Sequence, residues 1–208
     1  MDKKLVLLGY SGHAYSVIDA IRSLNVKISG YFDLKVNSRN PYRLDYLGNE
    51  ATTKLKKSLK ENDFFPSIGD GELRAKMVSY IENNGLSQRN IIHRTANISP
   101  DVIFEASIFV SSGAIINTLT TVKKGAIINT GAIVEHECSI GEFTHVGPGA
   151  VLTGNVTLGH HTFIGANATI IPGIKIGNNV KVGAGSVVIE DIYDNSIYVG
   201  NPARKLKK

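Results

Sequence analysis

From Ile92 to Val188 an apolar residue stands at every sixth position: Ile92, Ile98, Phe104, Val110, Ile116, Val122, Ile128, Val134, Ile140, Val146, Leu152, Leu158, Ile164, Ile170, Ile176, Val182 and Val188. That period fits no helix. Four places after these positions come small or β-branched residues such as Ala114, Ala126, Ala132, Ala150, Val156, Ala168, Val180 and Ser186, so each hexad offers two inward side chains. A repeat this short cannot bury its own apolar face, and its stability must come from stacking one coil on the next. The pattern predicts a solenoid. Gly141, Gly159, Gly165, Gly177 and Gly183 directly follow the apolar position and read as sharp corners, where a residue without a Cβ is needed.

Before residue 90 the pattern changes to short apolar runs alternating with helical spacing. Leu5 to Leu8 reads as a strand that ends in Gly9-Tyr10-Ser11-Gly12-His13 and passes into a helix from Ala14 to Leu24, with Val17, Ile18 and Ile21 on one face. A second strand spans Val26 to Phe32 and ends at Asp33; a third, Phe64 to Ile68, ends in Gly69-Asp70-Gly71 before a helix from Glu72 to about Glu82. The polar stretch Asn37 to Asn49 reads as loop, and the linker to the solenoid lies near Leu86 to Asn90. Alternating strands and helices predict a small parallel sheet of Rossmann type, in which ligands sit beyond the carboxyl ends of the strands. Ser11, Gly12, His13, Asp33 and Gly69 all fall there. The turn is not a full G-x-G-x-x-G, and an Asp closing a strand is also an ordinary turn residue. The expected division is 1–88 for the α/β domain, 89–190 for the solenoid and 191–208 for a cap with a basic tail.

Composition narrows the class. The 208 residues are 42% apolar and 20% charged, as in globular proteins. The longest apolar runs are too short for a membrane span, and Met1-Asp2-Lys3-Lys4 leads into a strand without a leader's layout, so a cytoplasmic location is expected. Cys138, the single cysteine, excludes an intrachain disulfide and falls on an inward position as a core filler. A net charge of +5 leans towards anionic ligands, but the basic residues gather in Lys54 to Lys60 and in the tail Arg204 to Lys208 without interleaved aromatics, so nucleic acid is not expected as a partner.

Among the histidines of the repeats, His136 has the best chemical setting. It lies two places after inward Val134 and between Glu135 and Glu137, so a carboxylate can orient one ring nitrogen while the other takes a proton. If three hexads make one coil, Gly154 lies above His136 at about the 4.8 Å strand spacing, which puts a backbone N–H beside the base. His160 and His161 read as solvated corner residues.

The repeat pattern resembles the hexapeptide-repeat acyltransferases, whose fold is a left-handed parallel β-helix. Nearly the whole chain resembles one subgroup, the bacillosamine-type UDP-4-amino-sugar N-acetyltransferases and the related sialic acid O-acetyltransferases. The likeness rests on Ser11-Gly12-His13, Tyr31-Phe32-Asp33, Ile68-Gly69-Asp70-Gly71-Glu72-Leu73-Arg74 and Val134 to His145. Ala14 stands where a glycine is common and Leu34 where some members carry a second acid, which leaves the nucleotide open.

The resemblance implies acetyl-CoA as co-substrate, no metal, and a UDP-linked amino sugar held by Ser11, Gly12, His13, Asp33 and Gly69. It implies catalysis by His136 with Glu137, Gly154 as oxyanion donor, and cofactor contacts from His145, Ala166, Ala184 and Arg204. Because His145 is half a coil from His136, a homotrimer with active sites between subunits is expected. O-acetylation of a sialic acid-like sugar, a trimeric histidine-zinc lyase of carbonic anhydrase type and a non-catalytic binding solenoid are the alternatives.

Overall fold

The computed structural model describes residues 3–52 and 59–206. Most of the Lys54 to Lys60 cluster, together with Lys207 and Lys208, lies outside the described residues.

The first domain is a parallel sheet whose apolar strand is buried on both faces. Its elements are β1 (Leu5–Leu8), α1 (Gly12–Ser23), β2 (Ile28–Phe32), β3 (Tyr46–Gly48), β4 (Asp63–Pro66), α2 (Gly71–Asn83) and β5 (Ser87–Gln88). The strand order is β3-β2-β1-β4-β5, with every neighbour parallel. Alternation along β1 divides the core: Leu5 and Leu7 pack with Val17, Ile18 and Ile21 of α1, while Val6 and Leu8 pack with Phe64 and Ile81.

Three details differ from the expected elements. β2 starts at Ile28 rather than Val26, β4 ends at Pro66, and the stretch expected as loop contains β3. β3 is only three half-buried residues long, too short to show an apolar run. It extends the sheet through the pairing of Tyr46 with Tyr31.

Beyond Gln88 the chain enters the solenoid, a succession of two-residue strands from β6 (Ile91–Ile92) to β22 (Val187–Val188). Partners lie eighteen residues apart, as in Ile115 with Ile133, Thr121 with Ser139 and Ile127 with His145, so three hexads make one coil. The strands form three parallel faces of a left-handed β-helix. Inside, the sixth-position residues from Val110 to Val188 and the small residues Ala114, Ala126, Ala132, Ala150 and Ala168 make one continuous core.

The glycines expected to make the corners do something else. The left-handed backbone falls three places after the inward residue, at Gly113, Gly131, Glu137, Phe143, Asn155, His161 and Asn179 among others. Gly141 has an ordinary φ; a Cβ on it would lie 2.5 Å from the carbonyl oxygen of Gly159 on the next coil. Close coil-to-coil stacking, not turning, excludes a side chain there.

The cap continues the stack. Strand β23 (Ile197–Val199) pairs with β21 (Lys181–Val182), and β24 (Arg204–Lys205) turns back antiparallel on it. At the opposite end, the outward residues Ile91, Phe109 and Ile127 of one solenoid face are buried in the cluster that contains α1. The first domain is therefore seated on the early coils of that face.

Because each coil is supported only by its neighbours, deleting mid-stack core volume is expected to weaken the solenoid. Ile140→Ala should cost about 2–5 kcal/mol in urea unfolding, the range for such a truncation. Exposed Thr157→Ala, on the same face, should stay within about 0.5 kcal/mol.

Candidate active site

The carboxyl ends of β1 and β4 lie side by side where the strand order reverses, and this creates the crevice expected of such a sheet. After β1, the backbone N–H of Tyr10 donates to Asp33 Oδ2 at 2.9 Å, and Leu34 N–H donates to Asp33 Oδ1 at 2.7 Å. Asp33 thus ties the ends of β1 and β2 together, with lone pairs to spare for a ligand. Helix α1 begins at Gly12 with Ser11 as its N-cap, and the Ser11 side chain makes no capping bond. A Cβ on Gly12 would meet nothing within 4 Å, so the helix N-terminus is open to the crevice. Gly69 backs onto His13, whose Cβ and Cγ would lie 3.6 Å from a Cβ built on the glycine.

A buried arginine holds this crevice against the solenoid. Arg74, on α2, donates from Nε to Gly125 O at 2.6 Å, from Nη1 to Gly69 O at 2.7 Å and Ile68 O at 3.1 Å, and from Nη2 to Phe143 O at 2.6 Å. Burial lowers its pKa to about 10, so it remains charged at neutral pH. It faces two histidines, His13 and His145, whose ring centroids are 6.1 Å apart. Burial first, and the Arg74 charge second, lower the pKa of His13 to about 4 and that of His145 to about 3. Both are neutral at physiological pH.

Asn129 settles the tautomer of His145. Its Oδ1 accepts from Thr130 N–H at 2.8 Å, which turns its Nδ2 towards His145 Nε2 at 3.0 Å. Nε2 is therefore the acceptor and Nδ1 carries the proton, as assigned from this hydrogen-bond network. Neither Arg74 nor Asn129 stood out in the sequence as a site residue; Arg74 lay within a quoted motif, while Asn129 carried no signal beyond its outward place after Ile128.

His136 occupies a different corner. Its half-exposed ring places Nδ1 3.0 Å from Glu137 Oε2, while the Glu135 carboxylate turns away to accept from Asn117 Nδ2 at 2.8 Å. Of the two flanking acids, Glu137, the one the family resemblance implied, is the one beside the ring. Glu137 has φ of 59°, a left-handed conformation that most residues avoid. Gly154 lies directly over the ring: a Cβ there would fall 2.5 Å from His136 Cε1 and 2.6 Å from Nε2. Only glycine fits.

The remaining predicted residues lie apart. Ala166 and Ala184 stack on consecutive coils, with Gly185 N–H bonded to Ala166 O at 2.8 Å. Arg204 is exposed, with Nη1 3.8 Å from Glu190 Oε1. One chain therefore brings Ser11, Gly12, His13, Asp33, Gly69 and His145 together, and separately His136, Glu137 and Gly154. It does not join the two groups.

His160 is exposed, as expected, but His161 is not a solvated residue. Its side chain is 20% exposed, stacks on Phe143 with centroids 5.2 Å apart, and sets Nδ1 3.3 Å from Glu72 Oε1. The first turn of α2 docks over it, a consequence of domain packing that no hexad pattern shows. His161, Glu72, His145 and Phe163 line a cavity of about 490 Å³ between the domains. Among the described residues, no group of three or more His, Cys, Asp or Glu is placed to hold a metal ion.

An α/β domain with an open helix N-terminus, seated on a β-helix that carries a carboxylate-paired histidine, defines a hexapeptide-repeat acetyltransferase. The chain belongs to this family, in the subgroup of acetyl-CoA-dependent sugar N-acetyltransferases. Residues 4–81 match the PglD N-terminal domain, and residues 155–190 match the hexapeptide repeat of succinyl-transferase. PerB from Caulobacter crescentus, solved in complex with CoA and GDP-perosamine, is 33% identical over 98% of this chain and 97% of its own, with a TM-score of 0.91. A mutant of GDP-perosamine N-acetyl transferase from the same organism, also with CoA and GDP-perosamine, is 33% identical over 99% of this chain and 97% of its own, with a TM-score of 0.93. The acetyltransferase domain of PglB from Neisseria gonorrhoeae, solved with acetyl coenzyme A, is 27% identical over 99% of this chain and 100% of its own, with a TM-score of 0.91.

The two neutral histidines make acid sensitivity a prediction. Their folded pKa values, about 4 and about 3, lie below the unfolded value of 6.5, so the unfolded chain binds more protons as pH falls. Their penalty is absent above about pH 6.5 and grows as pH drops through the folded values. Melting temperature should fall over that window, and less steeply in His145→Asn than in the parent.

Proposed function

We propose that the chain transfers the acetyl group of acetyl-CoA to the amine of a nucleotide-linked 4-amino sugar. The observation that carries this reading is the pairing of His136 with Glu137 under the Gly154 amide, on the same chain as an open nucleotide crevice. The neighbours solved with CoA and GDP-perosamine support both ligands. The nucleotide lies across Ser11, Gly12, His13, Asp33 and Gly69, with its phosphates at the start of α1. Direct assay with UDP- and GDP-linked sugars separates the expected UDP from the GDP of the neighbours.

In the reaction the neutral amine attacks the thioester carbonyl. A C–N bond forms, the C–S bond breaks, and the amine proton passes through His136 Nε2 to the departing thiolate of CoA. Glu137, at Nδ1, orients the ring and supports its transient positive charge. The Gly154 N–H makes no bond to the coil ladder among the described residues and is free to hold the oxyanion. Ala166, Ala184 and Arg204 follow the cofactor, with His145 near its reactive end.

Residues 1–88 bind the sugar, 89–190 perform the transfer and 191–208 cap the stack. The working unit is a homotrimer in which one subunit's His136 meets the crevice of its neighbour. Exposed Leu119, one coil below Glu137, and exposed Ile103 on the face that follows supply apolar surface for that contact. Among the described residues no helix is long and apolar enough to cross a membrane, and the water-soluble co-substrates suit a cytoplasmic site of action. O-acetylation of a sialic acid-like sugar is the alternative acceptor chemistry.

Thiol release from acetyl-CoA with UDP- and GDP-linked 4-amino sugars is expected to be rapid, with the amide as product; preferential acetylation of free sialic acid would favour the alternative. His136→Ala should lower kcat by about a hundredfold or more, the low end for losing a general base, with melting temperature unchanged. Exposed His160→Ala should retain activity. Mass measurement in solution should return a trimer.

A further inference from the structure

The corners of the solenoid close in two ways. Where an alanine lies on the coil below, the corner bonds to itself: Ala150 N–H donates to Gly147 O at 3.2 Å above Ala132, and Thr144 N–H donates to Gly141 O at 3.3 Å above Ala126. Where a threonine lies below, its hydroxyl enters the corner instead. Thr120 Oγ1 accepts from Cys138 N–H at 3.3 Å and donates to Glu135 O at 2.9 Å. At the next corner along the coil, Thr144 and Thr162 do the same, donating to Gly159 O at 2.6 Å and Gly177 O at 2.7 Å. Cys138 follows this rule with sulfur, its thiol donating to Thr153 O at 3.3 Å. Burial raises the Cys138 pKa, so the thiol keeps the proton it donates.

The carbonyls bound by Thr120 and Cys138 belong to the peptides that lead into His136 and Gly154. In a trans peptide C=O and N–H point opposite ways, so a carbonyl tied to the buried side chains aims the following N–H outward. The neighbouring column shows what such an N–H does. His160 N–H donates to Asn178 Oδ1 at 2.9 Å and Asn178 N–H to Asp194 Oδ1 at 2.8 Å, each catching an oxygen from the turn stacked above. The residue stacked above Gly154 is Pro172, which has no side-chain oxygen to offer, so the outward Gly154 N–H is left for an oxygen from a ligand. On the His136 side, Asn155 N–H already holds the His136 carbonyl at 2.8 Å, and the Thr120 bond fixes the peptide that precedes it.

We propose that Thr120 and Cys138 are positioning residues for acetyl transfer: Thr120 sets the backbone that carries the His136 base, and Cys138 sets the peptide whose N–H holds the oxyanion. The inference rests on the roles of His136 and Gly154 given above, and adds the buried clasp that keeps them in fixed relation. Cys138, expected only to fill the core, becomes part of that clasp. Reacting groups must hold their geometry to about 0.5 Å, so a loosened peptide slows the chemical step without weakening the binding of either substrate.

The test measures kcat, both KM values and melting temperature for Thr120→Val, Cys138→Ala and Thr162→Val in the thiol-release assay. Valine keeps the shape of threonine and removes the hydroxyl. Thr120→Val should lower kcat about tenfold and Cys138→Ala about threefold, less than the loss of an oxyanion donor itself, with both KM values unchanged. Thr162→Val loses the same bonds at a corner that carries neither base nor oxyanion donor; its melting temperature should fall as far as that of Thr120→Val while its kcat stays. Thr120→Ser and Cys138→Thr, which put a hydroxyl back, should recover kcat. If Thr120→Val does not fold, Cys138→Ala and Cys138→Thr decide the matter by themselves. A comparable kcat loss in Thr162→Val, a loss expressed in KM, unchanged kcat in Cys138→Ala, or no recovery with the hydroxyl restored would each overturn the assignment. Full activity in His136→Ala would instead overturn the reading on which it rests.

Discussion

The Arg74 guanidinium joins the two halves of this protein. A charged group at this depth is tolerated only if its donors are satisfied, and four carbonyls do so: Ile68 and Gly69 from the loop after β4, Gly125 and Phe143 from the solenoid. The apolar seat of α1 on Ile91, Phe109 and Ile127 supplies area but little directional information. Arg74 adds the direction. Its planar fork fixes where the Gly69 loop stands relative to the coils, and its charge adds to the burial that keeps the facing His13 and His145 rings neutral. One side chain thereby sets the geometry of the crevice and reinforces its protonation state.

The solenoid supplies a second kind of order. Register is exact to the residue, so any two positions eighteen apart are neighbours and any two nine apart lie on different sides of the prism. This arithmetic stacks Gly154 on His136 and holds His145 away from it. It also imposes a left-handed corner three places after each inward residue from Phe104 to Val182. Most corners meet that demand with glycine or asparagine, residues that accept it readily. Glu137 accepts the same conformation with a full side chain, and the result is a carboxylate aimed at the neighbouring ring. Backbone strain of this sort, about 1–3 kcal/mol at a sparsely populated conformation, persists where the surroundings enforce it.

Legibility from sequence followed the range of the determining interaction. The hexad period is local and redundant, so the inward residues were readable, and the family resemblance it carries supplied the coil length and hence the adjacency of Gly154 to His136. The α/β alternation and the gathering of Ser11, Gly12, His13 and Gly69 at the strand ends were readable for the same reason. The choice of Glu137 over Glu135 came from the family resemblance and not from the residue pattern, because a side chain at a corner points where the backbone twist sends it, and alternation along a strand has ended there. Strand β3 escaped because three half-buried residues carry no periodic signal. His161 and Arg74 escaped for a different reason. Their environments exist only once the domains dock: α2 brings Glu72 to His161 and the Arg74 fork to Gly125 and Phe143.

The two histidine environments divide the work of the site. His136 stands half-exposed at a corner with the Glu137 carboxylate at one nitrogen and the other side of the ring open to a ligand. His13 and His145 stand under a permanent cation in a dry junction, where protonation is strongly opposed. A group that must cycle its charge belongs in the first setting, and groups that must present fixed donors and acceptors belong in the second. Asn129 completes this by locking one tautomer of His145. The fold places these settings on different sides of the same prism, so the proposed reaction, which uses both, calls for a second copy of the chain.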